Sequence, residues 1–161
     1  MTRPSASLLS ALGVLVLAVF LQSGEAADAT PRQLRDFPET TLTITHRGGR
    51  DTLRVWVADT PERQQQGLMF VRAMPSDRGM VFPQRQPRVM SMWMKNTYLS
   101  LDMLFIGPEK TVIGISEHTT PLSLDTVTSP GPIIAVLELN AGEARRRGIA
   151  TGDRVGGVPA L

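Results

Sequence analysis

Between Met92 and Phe105 the chain carries two apolar runs, Met92-Trp93-Met94-Lys95-Asn96-Thr97 and Leu101-Asp102-Met103-Leu104-Phe105, each holding one charge. A charge inside a core strand must be paired or must face a polar pocket, because burying it alone is strongly unfavourable. If the two runs form a hairpin across Asn96 to Leu101, Lys95 stands opposite Asp102 and Trp93 opposite Leu104. The stretch is therefore expected to be either a charged pair that fixes strand register or the floor of a binding site beside Trp93.

The rest of the chain reads as many short strands. Thr41-Leu42-Thr43-Ile44-Thr45 alternates as a half-buried strand does, and Gly48-Gly49 closes a hairpin. Leu53, Val55 and Val57 continue on the return strand, with Arg54, Trp56 and Ala58 on its other side. Thr60-Pro61-Glu62 starts a short helix that Gly67 ends, after which Leu68, Met69 and Phe70 drop into the core. Met80-Val81-Phe82 is a short strand, and Pro83 to Arg88 reads as a surface loop. Gly107 to Lys110 forms a hairpin loop into the strand Thr111 to Ile115, residues 119–132 are irregular, and Ile133 to Leu139 is an apolar strand carrying Glu138. Asn140 and Glu143 have the spacing of a capping box, and Gly148 closes that second helix. Arg145-Arg146-Arg147 reads as its solvated end. Arg154 to Val158 is a last strand. The expected fold is mainly β (β-rich α+β), a small barrel-like or rolled antiparallel sheet with two short helices.

The N-terminus divides as an export signal does. Arg3 supplies the positive start, Leu8 to Leu21 an apolar run, and Ala26 or Ala29 the small residue before a cut. The alternative is an uncleaved N-terminal anchor. Cleavage assigns residues 1–26 to a signal peptide, 27–39 to a linker and 40–161 to a single β-rich domain, and the expected destination is the periplasm. The chain has no Cys, which excludes disulfides, a lipid-modified cysteine anchor and thiolate chemistry. A formal charge of +2 with Arg scattered along the chain offers no basic stripe, so nucleic acid is not an expected partner. The expected partners are a small molecule or an envelope protein, with no stable membrane span once the signal is removed.

Five blocks then follow in a fixed order: Arg63 with Gly67-Leu68-Met69-Phe70, Gly79-Met80-Val81-Phe82, Trp93-Met94-Lys95-Asn96-Thr97, Leu101-Asp102-Met103-Leu104-Phe105, and Leu137-Glu138-Leu139-Asn140-Ala141-Gly142. Together they resemble the domain of unknown function 192 family, from about Thr41 to Val158. The resemblance implies a small, mostly β domain, often exported, with no established activity and no catalytic residues to carry over. Ser100 departs from it, because the family commonly has Pro before the Leu-Asp pair. That departure bears on the turn between Lys95 and Asp102.

The site residues expected from chemistry are Trp93, Lys95, Asn96 and Asp102, with Glu138 as a second carboxylate. Trp93 would stack on a ligand, Lys95 and Asp102 would orient its polar groups, and Asn96 would both donate and accept. That reading is a non-enzymatic binding or accessory module without a cofactor. A different reading uses Asp102 and Glu138 as acid and base of a hydrolase. A third takes Met90, Met92 and Met94, recurring at period two, as soft thioether ligands for Cu(I), against the ordinary reading of such a stripe as core. His46 reads as exposed beside a turn, and His118 has only a sequence-adjacent acid. No zinc spacing and no Gly-x-Ser-x-Gly elbow is present.

Overall fold

The structure, a computed structural model, describes residues 31–161; the segment 1–26 expected to be a signal peptide and the start of the 27–39 stretch lie outside the described residues. Nine strands and two short helices follow in order: β1 Glu39–His46, β2 Gly49–Val57, α1 Pro61–Gln66, β3 Arg78–Arg88, β4 Ser91–Met92, β5 Leu101–Ile106, β6 Val112–Ser116, β7 Val127–Thr128, β8 Ile133–Asn140, α2 Glu143–Arg147 and β9 Arg154–Gly156. Seven strands form one sheet in the order β6-β5-β8-β3-β2-β1-β9, and β4 pairs with β7 alone. The sheet is mixed, not purely antiparallel. β2 and β3 run parallel, joined through α1, while their neighbours are antiparallel.

The sheet rolls until its two edges touch. Thr111, just before β6, bridges to Arg154 on β9, and Val155 N–H donates to Lys110 O. One apolar cluster draws Leu42, Leu53, Val81, Leu104, Val112, Leu137 and Val155 from all seven strands and fills the inside of the roll. Residues one step along in the same strands, including Trp56, Met80, Phe82, Met103 and Val136, belong to a second cluster on the other face. Both faces of the central strands are covered, which is why β5 and β8 read as near-continuous apolar runs.

Several expectations need correction. Residues 31–38 are not a plain linker: Arg32–Leu34 makes a 3-10 turn, and Leu34 and Phe37 are buried in the second cluster. These two apolar side chains in a polar stretch are what tie it down. Pro83 to Arg88 is not a loop, since β3 runs on to Arg88 with an irregularity after Pro83. A bulge is where a sheet tolerates proline. The Met92–Phe105 hairpin does not form. β5 pairs with β8 over six residues and with β6, because the longer apolar partner offers the better ladder. Asn140 is no helix cap: α2 starts after Gly142 at φ 84°, and the Asn140 side chain donates to Met74 O. Glu143 instead binds Arg146 and Arg147, and Arg147 reaches Asp51 and Ser76 O, so this arginine run is only partly solvated. The Arg146 hydrogen bond, against the effect of partial burial, holds the Glu143 carboxyl below its ordinary range. His46 is not exposed; its side chain is 8% accessible and lies 2.9 Å from Asp51.

Candidate ligand-binding site

Glu138 sits in β8 directly opposite Met80 of β3 and Met103 of β5. Opposed residues on antiparallel strands share a face, so two thioether side chains flank this carboxyl. It is 4% exposed. Among the described residues no hydrogen bond or ion pair engages it, and its oxygens keep some access to the pocket, whereas the Trp56 indole N–H is fully buried without a partner. Burial without a partner pushes its pKa up to about 8, so at neutral pH it is an uncharged acid with one donor and one carbonyl acceptor.

The carboxyl lines a pocket of about 120 Å³ between the sheet, the end of α1 and the strand β4. Met69, Met90, Met92, Phe82 and Trp93 supply its apolar lining, and Lys95, Thr97 and the glutamines of α1 its polar lining. An outer pocket of about 390 Å³ adjoins it and adds Glu62 and Asn96. Gln65, Gln66, Met69, Trp93 and Lys95 line both, which makes them the mouth between the two.

Local sequence explains the walls. Thr60 accepts from Arg63 N–H and Pro61 opens the helix, as expected. The helix is fixed from both sides: Gln64 Nε2 donates to Pro83 O at 2.9 Å, and Gln66 Nε2 donates to Gln33 O at 2.7 Å. Gly67 ends it at φ 47°, and a Cβ there would come within 3.2 Å of the Phe82 ring. The positive φ favours glycine, and a Cβ would also oblige the Phe82 ring to give way. On the opposite wall, Met94 N–H donates to Ser123 O, Thr97 N–H to Met94 O, and Asn96 O accepts from Phe70 N–H. Asn96 adopts a left-handed φ of 55° that asparagine tolerates. Met94 is thereby buried, while Trp93 and Lys95 are turned outward with the Lys95 ammonium 5.3 Å from the indole centroid.

Trp93, Lys95, Asn96 and Glu138 thus come together around two adjoining pockets. Asp102 does not join them. It lies opposite Leu139, on the inner face of the roll, fully buried. Its two oxygens accept from His118 N–H and Ala144 N–H at 3.0 Å each. Asp102 therefore caps α2, the task the sequence assigned to Asn140, and neither faces Lys95 nor shares a pocket with Glu138. The methionine stripe also divides: Met90 and Met92 line the pocket, but Met94 belongs to the core. Met69 takes its place, a residue sequence reasoning sent into the core; its position just past the helix-ending Gly67 is the signal that could have marked it. Exposed His118 contributes backbone only. Among the described residues no group of three or more His, Asp or Glu could hold a metal. A wider groove of about 460 Å³ between α1 and the far end of β3 is lined by prolines, Leu161 and exposed or partly exposed polar side chains, and carries no buried acid or base.

A rolled, mostly β domain with an uncharged acid in a methionine-lined pocket is the class that fold and site define. The chain belongs to the DUF192 family, described as uncharacterized ACR, which matches it over residues 42–157. It is similar to a solved protein of Sinorhizobium meliloti 1021 described as a candidate transcription regulator, at 41% identity and a TM-score of 0.73 over 75% of this chain and 95% of that one. It is also similar to a protein of unknown function from Novosphingobium aromaticivorans DSM 12444, at 33% identity and a TM-score of 0.76 over 82% and 96%. No curated protein matches the chain. Among the described residues no helix is long and apolar enough to cross a membrane.

Proposed function

We propose that the chain is an exported binding module, working in the periplasm, that takes a small ligand into the Glu138 pocket through the mouth at Trp93 and Lys95. One observation carries this reading: a nearly fully buried carboxyl without a partner opens onto a cavity. A carboxyl desolvated this far without a protein partner keeps donor and acceptor capacity that a ligand can satisfy. Glu138 can meet a ligand as an O–H donor or, once it gives up its proton, as a carboxylate. A space of about 120 Å³ admits only a few heavy atoms, on the scale of the roughly 150 Å³ cavity that accepts benzene. Pairing of Asp102 with Glu138 as acid and base has no support, because the two carboxyls face opposite sides of the sheet.

The test is a thermal-shift screen of the chain against metal ions, sugars and small envelope metabolites. Binding to the native state must raise the melting temperature. The expected result is a shift that weakens in Glu138→Gln and in Trp93→Ala. A shift that both variants retain in full would place the ligand elsewhere.

A further inference from the structure

We infer that the pocket seats one soft monovalent cation, Cu(I), bound by the thioethers of Met69, Met90 and Met92 and charge-balanced by Glu138. This names the ligand of the binding reading above and rests on it.

Three methionines from two separate segments, the stretch just past α1 and the β4 strand with its approach, line one cavity of about 120 Å³. Thioether sulfur is a poor ligand for hard ions and a good one for Cu(I). Methionines that only fill gaps lie against other apolar groups. Met90 and Met92 pack on one side against the apolar cluster and on the other line the pocket that Glu138 also lines, so they are only partly buried. Met69 is held at the mouth, where the Asn96 amide Nδ2 contacts its sulfur at 3.9 Å.

Glu138 supplies what the thioethers lack. They are neutral, so a buried cation needs a counter-charge from the protein. On binding, Cu(I) displaces the carboxyl proton to solvent; one positive charge enters and one leaves, with no change of oxidation state. The other charged groups around Glu138 are few. Lys95 lies in the pocket wall and Glu62 in the outer pocket, while β3 and β5 face the carboxyl with Met80, Phe82 and Met103. Lys95 at the mouth disfavours hydrated hard cations, whose binding is mostly electrostatic. A soft ion that gains its affinity from sulfur is less affected.

The experiment is an anaerobic titration of the full chain with Cu(I) in competition with a chromophoric Cu(I) chelator, repeated with Ag(I) by calorimetry. The expected result is one ion per chain. Met90→Leu and Met92→Leu, which conserve volume, each weaken binding at least tenfold. Met94→Leu, in the core, leaves it unchanged, and unfolding midpoints show that every variant is folded. Glu138→Gln, which removes the counter-charge, binds more weakly. Absence of binding, or binding indifferent to both Met90→Leu and Met92→Leu, overturns the proposal. If Cu(I) fails while an organic compound still protects wild type better than Glu138→Gln, the cation is wrong and the pocket reading stands. If neither binds, both fall.

Discussion

Asp102 and Glu138 stand one register step apart on neighbouring strands and serve opposite faces of the sheet, Asp102 opposite Leu139 and Glu138 opposite Met103. The difference of one step decides their chemistry. Asp102 turns toward the start of α2 and accepts two backbone N–H groups. Glu138 turns toward α1 and β4, where no side chain answers it and a pocket opens. The first carboxyl holds the fold together, and the second is available to a ligand.

Removing Asp102 should therefore unfold the domain's α2 corner and leave the pocket chemistry alone. Asp102→Ala strands one buried donor, Ala144 N–H, and one partly buried donor, His118 N–H, at a cost of roughly 2–4 kcal/mol, while Asp102→Asn keeps one acceptor and costs less. Lys95→Ala, at the exposed mouth, should cost below about 1 kcal/mol. A double-mutant cycle on Lys95 and Asp102, read by denaturant midpoint, should give coupling near zero because the two share no contact. Measurable coupling would mean that they pair after all.

Gly79 in β3 has no room for a side chain. A Cβ there would stand 2.6 Å from the backbone oxygen of Glu138 and 2.9 Å from a methyl carbon of Leu139. Backbone cannot yield as a flexible side-chain tip can, so Gly79→Ala should lose about 2–3 kcal/mol and disturb the strand that carries Glu138. A melting temperature equal to wild type would contradict the close β3–β8 approach.

Local signals were legible in the sequence, and long-range pairing was not. Thr60, Pro61 and Gly67 mark α1 because caps and fixed φ angles act within a few residues. The alternation in Thr41–Thr45 and Leu53–Val57 found β1 and β2 for the same reason. Which strand β5 would choose depended on β8, more than 30 residues away, and no local rule speaks to that. The assumed hairpin put Lys95 against Asp102, whereas the actual ladder put Met103 against Glu138. Trp93, Lys95 and Asn96 reached the mouth without that hairpin, because Met94 is the residue that turns inward. Capping of α2 by Asp102 was invisible for a related reason: a side chain from another strand can replace a local cap.

Met94 and Met92 separate core from pocket. Met94 is 2% exposed, so Met94→Ala leaves a cavity worth roughly 2–5 kcal/mol. Met92 is only partly buried at the pocket wall, and its loss should cost less than half as much, since solvent can fill the space. Equal losses in chemical denaturation would return Met92 to the core.

Export is tested on the protein from its native host. The Leu8–Leu21 run after Arg3 and the small residues near Ala26 and Ala29 have the layout of a cleaved signal. Mass spectrometry should find a mature N-terminus near one of these alanines in the periplasmic fraction. An intact chain in the membrane fraction would mean that the segment stays as an anchor.

Stability should fall as pH rises from about 5 to 8, and Glu138 should be the cause. Its pKa is 4.5 in the unfolded chain and about 8 in the fold, so between those values the native state holds a proton that the unfolded state has lost. Stability therefore declines with pH across that window and levels off above it. At 1.36 kcal/mol per unit, the full effect approaches roughly 5 kcal/mol. No cation answers the carboxyl; Lys95 lines the wall and Glu62 lies in the outer pocket, while β3 and β5 present Met80, Phe82 and Met103. Glu138→Gln keeps the shape and cannot ionise, so its denaturant midpoint should vary less over the same range and exceed that of wild type at pH 8. Other titrating groups are common to both proteins, and the difference between the two curves isolates Glu138. Parallel curves for wild type and variant would show that the carboxyl is already charged at neutral pH, and the uncharged acid at the pocket floor would have to be given up.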